Sequence, residues 1–484
     1  MNLQPVVDLV SADELGALHF IAIGGAGMSG IAEMYHLLGH PVSGCDQADS
    51  PTLRQLAADG LTTAVGHDPA HLVGVDTVVV STAIREQNPE LVAARSLGKR
   101  VWHRSAALAA LMLGRRGVAV AGAHGKTTTS AMTATMFAAA GADSSYVIGS
   151  PLAATGSSSH LGTGDIFIVE ADESDGSFLQ YPTQVAVITN IEADHLDRWG
   201  TAKAYAEGFH RFATAACVQA VVINVDDFGA RALSEELRAT GARVVGYGEA
   251  ADADVRLTDL DFEGTHASAT LHAEGRSHRL KLQVPGRYNL ANAAAAFAAG
   301  RVLGLDPQRL IEGAVAFTGT LRRFQLVARP TLNPNDPPER AVRVYDDYAH
   351  HPTELRAALG AALRAKGTGR LVACFQPHLY SRTRDFAEEF GIALCLADVI
   401  VVTDVYGARE DPMPGVSGAM VADAARRHAD PGTRVDYVPD KAELAAHLAQ
   451  LVQPGDLVMT LGAGDVTLVG PLLAGVLDQR ASRR

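Results

Sequence analysis

Runs of β-branched residues alternate with helix-period segments along nearly the whole chain, and this alternation limits the fold more than any other feature. The runs include "HFIAIG", "DTVVVSTAI", "RGVAVAG", "DIFIVEAD", "QVAVITN", "AVVINVDD", "GRLVACF", "DVIVVTDV" and "DLVMTLGAG". Strand, helix and strand in succession signal a parallel sheet, because only a long crossover can return the chain to the same end of the sheet. At 484 residues the chain is too long for one hydrophobic core, so two or three such layers are expected. The pattern breaks near residues 115 and 320. Between the breaks, "ADVRLTDLDFEGTHASATLHAEGRSHRLKLQVPG" alternates at period two and reads as an antiparallel excursion. Beyond the second, "ARPTLNPNDPPER" reads as a turn-rich surface loop. The expected fold class is α/β with three domains, at residues 1–115, 116–320 and 321–484.

Two glycine-rich loops stand out, each after a strand and each opening a helix. In "GVAVAGAHGKTTTSAM", the residues Gly122, Ala123, His124, Gly125, Lys126, Thr127 and Thr128 form a short phosphate-gripping loop. Small residues let backbone N–H groups face an oxyanion at a helix N-terminus. Lys126 is placed to meet the β- and γ-phosphates, and the Thr127 hydroxyl to hold magnesium. The earlier loop, "HFIAIGGAGMSGIAEM", carries Gly25, Gly27, Met28, Ser29 and Gly30, with Asp46 closing the next strand. That spacing suits any ligand with a diphosphate, a nicotinamide dinucleotide included. Two such loops in one chain point to two different nucleotides.

Carboxylates cluster at two further strand ends. "VEADESDGSFL" supplies Glu170, Asp172, Glu173 and Asp175, and "ITNIEADHLDRWG" supplies Asp194, His195 and Asp197. Ends of parallel strands are where ligands sit, and oxygen donors there suit hard cations beside phosphates. Asp172, Asp175 and Asp197 read equally as helix caps and turn acids. The net charge of -13 disfavours a nucleic-acid partner. No segment approaches the roughly 18 apolar residues of a membrane span, and the first residues do not read as a secretory signal. Cys45, Cys217, Cys374 and Cys395 are far apart without a CxxC pair, so each is expected to be a small buried residue in a reducing cytoplasm, with no zinc site.

Together with "AGAHGKTTT", "VPGRYNLANAAAA" and "TLRRF", these segments resemble the Mur ligase family, ATP-dependent enzymes that add amino acids to the cell-wall precursor. The segments "GGAGMSGIAE", "DDYAHHPTEL" and "FQPHLYSRTRDF" narrow the resemblance to the branch that joins L-alanine to UDP-N-acetylmuramate. The resemblance covers nearly the whole chain. It implies a Rossmann-like N-terminal domain for the UDP-sugar, a central P-loop ATPase domain, and a Rossmann-like C-terminal domain for the amino acid. A related enzyme that joins a ready-made tripeptide to the same sugar nucleotide shares the first two blocks and remains an alternative. So do two readings from other classes, a nicotinamide-dependent oxidoreductase and a regulatory nucleotide-binding module.

The resemblance also implies roles. Lys126, His195 and Arg323 would be catalytic. The phosphate loop, Asn289, Asn292, Arg323 and Asp347 would bind ATP, and Thr127, Glu173 and His195 would hold Mg2+. The N-terminal loop, Asp46 and Ser81 would bind the sugar nucleotide, and Tyr348, His350, His378 and Arg382 would surround nucleotide and alanine. For Arg322 a solvated surface position is the competing reading. Ala123, Tyr288, Leu379 and Ser381 depart from the family pattern, and the missing arginine at Leu379 removes a positive charge near the expected alanine pocket. Several relatives hold a metal with a carbamylated lysine on the helix after "DHLD"; here that place falls at Phe209, with Lys203 elsewhere on the helix, so no carbamate is expected. A cytoplasmic monomer or homodimer is expected.

Overall fold

The computed structural model describes residues 3–408 and 410–482. Its first sheet contains β1 (Leu18–Ile21), β2 (Val42–Asp46), β3 (Thr62–Val65), β4 (Thr77–Val80) and β5 (Arg100–His103). They are parallel, in the order β3-β2-β1-β4-β5. After β3 the chain returns to the other side of β1. The strand order therefore reverses between β1 and β4, opening a crevice at their carboxyl ends.

The second sheet is built on β6 (Arg116–Ala121), β7 (Ser145–Val147), β8 (Ser159–His160), β9 (Ile166–Glu170), β10 (Thr183–Ile188), β11 (Ala220–Asn224) and β12 (Val244–Gly248). Its parallel part runs β12-β11-β10-β6-β9-β7, with β8 antiparallel on β7. Three strands follow: β13 (Val255–Glu263), β14 (His266–Ala273) and β15 (Arg276–Leu282). Two-residue links at 264–265 and 274–275 join them, and Glu274 and Gly275 both take positive φ, as a tight hairpin turn requires. Burial alternates residue by residue along β14, the period-two signature of the sequence.

The third sheet holds β16 (Gln325–Ala328), β17 (Arg343–Asp347), β18 (Leu371–Phe375), β19 (Val399–Val402), β20 (Arg434–Tyr437) and β21 (Leu457–Leu461). The order is β16-β17-β21-β18-β19-β20, and β16 is antiparallel to β17.

The three sheets form two compact units. One takes in β1–β12 with residues Ala269–Leu280 and Leu290–Phe317; the other takes in Leu260–Ser268, Lys281–Asn289 and the chain from Thr318. The first two sheets share one core because the helix Arg104–Met112 is buried from Ser105 to Met112 and its cluster continues to Phe167, Phe178 and Phe212. The alanine run from Ala293 to Ala299 is buried, as its composition suggests. Among the described residues, no helix is long and apolar enough to cross a membrane. One cysteine departs from expectation: Cys45 and Cys374 are buried, Cys395 is half-buried, but Cys217 is exposed. Cys217 lies in the link between the helix Ala202–Ala213 and β11, where no layer covers it.

Candidate active site

The second loop leaves β6 and enters the helix Lys126–Ala139. Gly122 has φ +142°, and a Cβ there would stand 2.0 Å from Thr189 Oγ1. Gly125 has φ +83°, and its Cβ would meet Asn292 Oδ1 at 3.1 Å. Only glycine fits both the backbone and the space at Gly122. Thr189 and Asn190, at the end of β10, hold the loop's middle: Thr189 Oγ1 and Asn190 Nδ2 donate to the carbonyl of His124 at 2.6 and 2.9 Å, and Asn190 Oδ1 accepts from its N–H at 2.9 Å.

Lys126 folds back over this loop. Its Nζ donates to the carbonyls of Gly122 at 2.6 Å and Ala123 at 3.2 Å, and to Glu173 Oε1 at 3.1 Å. Glu173 is fully buried, with Oε2 2.8 Å from the same ammonium. Burial works against the Lys126 charge, but Glu173, Asp172 and Glu170 outweigh it and hold the ammonium above the usual lysine range. Thr127 Oγ1 donates to Glu170 Oε1 at 2.9 Å. His195, in the left-handed region at φ +53°, brings Nε2 to 4.0 Å from Glu173 Oε1. His195 and Lys126 thus both face Glu173, while Thr127 faces Glu170. Buried Glu173 Oε2 accepts no hydrogen bond. Its carboxylate, the His195 imidazole and the neighbouring Thr127–Glu170 pair offer the kinds of donor that fit a hard divalent cation. Thr128 follows Thr127 on the helix and is half-buried.

The turn acids are sorted by their partners. Asp175 Oδ1 accepts from the Ser177 N–H at 3.0 Å, and Asp172 Oδ1 from Ser174 at 3.0 Å. Asp172 Oδ2 also faces Arg104 Nη2 at 3.4 Å. The side chain of Asp197 lies outside the described residues. Phe209 is buried between Tyr205 and Phe178, and Lys203 is exposed.

The first loop uses the same backbone device with different neighbours. Gly25 caps the helix Ala26–Leu37, whose first turn carries Gly27, buried Met28 and buried Ser29. Asp46 Oδ2 accepts from the Gly24 N–H at 3.0 Å, so the acid braces the loop from the end of β2. A Cβ on Gly27 would meet Arg104 Nη1 at 2.8 Å, which puts that guanidinium at the mouth of the loop. Gly30 faces away: its Cβ would stand 2.8 Å from Ser159 Cβ, so its bareness serves helix-to-strand contact. Ser81 follows β4 on the far side of the crevice. Arg104 already lies between the two loops' acids and glycines. Sequence reasoning missed it because it stands in no motif, and missed Thr189 and Asn190 because they open "ITNIEADHLDRWG" ahead of the acids that drew notice.

The other unit gathers a separate cluster. Asp347, at the end of β17, is buried and accepts from the N–H groups of Phe324 and Ala349, each at 2.8 Å. Burial, opposed by Arg323 and these two bonds, pushes it up to about 6. Arg323 lies 3.8 Å from Glu354 Oε1 and stacks over Tyr348 at 5.2 Å. Arg322 is no solvated side chain: Nη2 donates to the carbonyls of Gly462 at 2.8 Å and Gly464 at 3.0 Å. His350 meets Tyr348 and His378 edge-on at 5.2 and 5.6 Å, and burial pushes its imidazole down to about 3. Arg382 is buried on the helix Tyr380–Leu394, and Ser381 donates its N–H to Glu410 at 2.9 Å. Asn289 and Asn292 share the helix Arg287–Val302; Asn292 faces Gly125, whereas Asn289 Nδ2 donates to Pro285 O at 2.7 Å.

Comparison with known proteins gives this arrangement a family. A model described as "Mur ligase family, catalytic domain" matches residues 17–116, "Mur ligase middle domain" residues 120–300, and "Mur ligase, glutamate ligase domain" residues 322–464. The UDP-N-acetylmuramate--L-alanine ligase of Cutibacterium acnes is 62% identical over 99% of this chain and 100% of its own length. That of Kineococcus radiotolerans is 52% identical over 96% and 97%. The crystal structure of a UDP-N-acetylmuramate-alanine ligase from Thermotoga maritima matches with a TM-score of 0.80 at 27% identity, over 96% of this chain and 99% of that one. With three family models spanning its three sheets and relatives of this identity along its full length, the chain belongs to the Mur ligase family.

Proposed function

We propose that this protein is an ATP-dependent ligase that joins L-alanine to the lactyl carboxylate of UDP-N-acetylmuramate, in the cytoplasm, for peptidoglycan precursor synthesis. The observation that carries the reading is the pairing of two glycine loops in one compact unit, of which only the second has a half-buried lysine, a buried carboxylate and a buried threonine around it. The full-length relatives named for this reaction support it.

A carboxylate is a poor electrophile, so amide formation needs activation. Transfer of the ATP γ-phosphoryl group to the lactyl carboxylate gives an acyl phosphate; the amine of alanine then attacks the carbonyl carbon, and phosphate leaves from the tetrahedral intermediate. Such chemistry asks the protein mainly for positioning and charge neutralisation. Lys126 would meet the charge on the migrating phosphoryl group, leaving its carbonyl partners for the substrate. Thr127, Glu173 and His195 would hold Mg2+, which supplies charge neutralisation on phosphate oxygens. The N-terminal loop with Asp46, Ser81 and Arg104 would hold the UDP diphosphate and sugar. Asn292 would meet the nucleotide beside Gly125, and the family resemblance assigns Asn289, Arg323 and Asp347 to ATP as well. Tyr348, His350, His378 and Arg382 would form the alanine pocket, Arg382 pairing with the amino acid's carboxylate. The three parts thus take residues 1–115 for the UDP-sugar, 116–320 for ATP and 321–484 for the amino acid.

The test is phosphate release with ATP, Mg2+ and UDP-N-acetylmuramate across a panel of amino acids and the tripeptide. Turnover should need all three substrates, with L-alanine best. Rapid ADP formation without the sugar nucleotide or without an amino acid sinks the coupling, and preference for the tripeptide replaces alanine as the acceptor partner.

A further inference from the structure

Behind the first loop, four residues from four elements of the N-terminal sheet bring their donor atoms together: His19 on β1, Cys45 on β2, His71 in the turn Pro69–Leu72 after β3, and Glu90 on the helix Pro89–Ser96. One nitrogen, sulfur or oxygen from each lies within 4.8 Å of every other. We propose that these four residues form a binding site for one divalent transition-metal ion of the zinc class.

The argument starts from a conflict between acceptors. His19 is 1% exposed. Its Nδ1 lies 2.9 Å from Ser43 Oγ, and that hydroxyl donates to the carbonyl of Leu18 at 3.3 Å. With the hydroxyl proton committed, Nδ1 is the donor and Nε2 carries the lone pair. That buried Nε2 makes no hydrogen bond and points at Glu90 Oε1, 3.7 Å away. Two acceptors on buried side chains thus face each other, an arrangement a cation resolves. The Ser43 contact also has the form of the outer hydrogen bond that fixes the tautomer of a metal-binding imidazole.

The other donors suit the same ion. Glu90 is fully buried and collects Cys45 Sγ at 2.8 Å and His71 Nδ1 at 2.6 Å. A tetrahedral zinc site separates its donor atoms by about 3.3–3.8 Å, from bond lengths near 2.0–2.3 Å. The present contacts need to open by roughly an ångström or less. One thiolate, two imidazoles and one carboxylate make a donor set for zinc or its neighbours and not for magnesium. Binding writes as Cys45–SH plus M2+ giving Cys45–S–M+ and one proton. His71 binds through Nδ1 by moving its proton to Nε2, which its partial exposure permits. His67, with Nδ1 3.1 Å from Cys45 Sγ, is left beside the sulfur to take up the released proton.

Such an ion would clamp β1, β2, the turn after β3 and the helix that precedes β5. It would sit next to Asp46, the acid that braces the first loop. No short motif links the four donors, so the site is invisible until the sheet brings them together.

The experiment uses the full chain, stripped with chelator and titrated with Co2+ alone and then Zn2+, with Mg2+ in excess to occupy oxygen-donor sites. One equivalent of Co2+ should produce a thiolate-to-cobalt charge-transfer band, which Zn2+ abolishes by displacement, and Zn2+ should raise the melting temperature. Cys45→Ser should remove the band while the exposed Cys217→Ser variant keeps it. His71→Gln should weaken Co2+ binding on the order of tenfold or more. If Cys45→Ser fails to fold, His71→Gln at its half-exposed position carries the test. Absence of a stoichiometric band in the folded wild type, a band that survives Cys45→Ser, or affinity unchanged by His71→Gln overturns the proposal.

Discussion

The two glycine loops, 24–30 and 122–127, are the same backbone device placed in different surroundings. Each leaves a buried parallel strand, turns on glycines and offers a helix N-terminus to an anion. Around the second, charge is concentrated: the Lys126 ammonium lies on buried Glu173, and the Thr127 hydroxyl on Glu170. Around the first, Asp46 is bound to the loop's own backbone, and the cation, Arg104, comes from a helix outside the loop. The difference teaches that a phosphate-binding loop becomes reactive through what neighbouring strand ends place beside it. Under the proposed function the first loop holds its ligand and the second serves the transfer.

The sharpest way to break this contrast is Lys126→Ala. Turnover should fall by about a hundredfold to a thousandfold, while calorimetry still finds UDP-N-acetylmuramate bound through the first loop. Loss of that binding would mean that the loops are not separate nucleotide sites.

Gly30→Ala probes the holding loop. The new methyl meets Ser159 Cβ at 2.8 Å. Overpacking costs about 1–3 kcal/mol, offset by the ~0.5–1 kcal/mol that alanine gains over glycine in a helix. The melting temperature should drop, with kcat for the surviving folded enzyme little changed. A variant as stable as the parent would show that the helix has slack against β8.

The comparison extends to the third sheet through His350, whose folded-state imidazole is pushed down to about 3. The unfolded histidine titrates near 6.5, so the contribution is fully present above 6.5 and is lost as pH falls through the window from 6.5 to 3. The loss is up to about 1.4 kcal/mol per pH unit in that window. His350→Gln should lack this component, so urea midpoints of variant and parent should converge between pH 7 and 5. Parallel pH profiles would place His350 in water.

The smallest effect is expected at Lys203. It is exposed, and Phe209, where the family resemblance puts the modified lysine, is a buried apolar residue. Lys203→Ala and a bicarbonate-depleted preparation should both keep full activity; activity restored by bicarbonate would add a metal ligand to the reactive loop's surroundings.

Much of the candidate site was legible because its key residues sit in short motifs: Gly122 to Thr128 in one loop, Gly25 to Gly30 in the other, and Glu173 and His195 at strand ends. What was illegible are contacts that join one segment to another. Thr189 and Asn190 hold the His124 carbonyl from a strand with no glycine signature. Arg322, open to a surface reading, is fixed by carbonyls far away in sequence.

The sequence by itself determined the α/β alternation, the two loops and the hairpins of β13–β15, because strand period, turn chemistry and positive φ are set within a few residues. Only the tertiary structure decided that the first two sheets share a core, that Lys126 lies on Glu173, and that His19, Cys45, His71 and Glu90 meet behind the first loop. Those contacts join residues from separate strands and helices. Their partners are chosen by sheet order and packing, which no local pattern encodes.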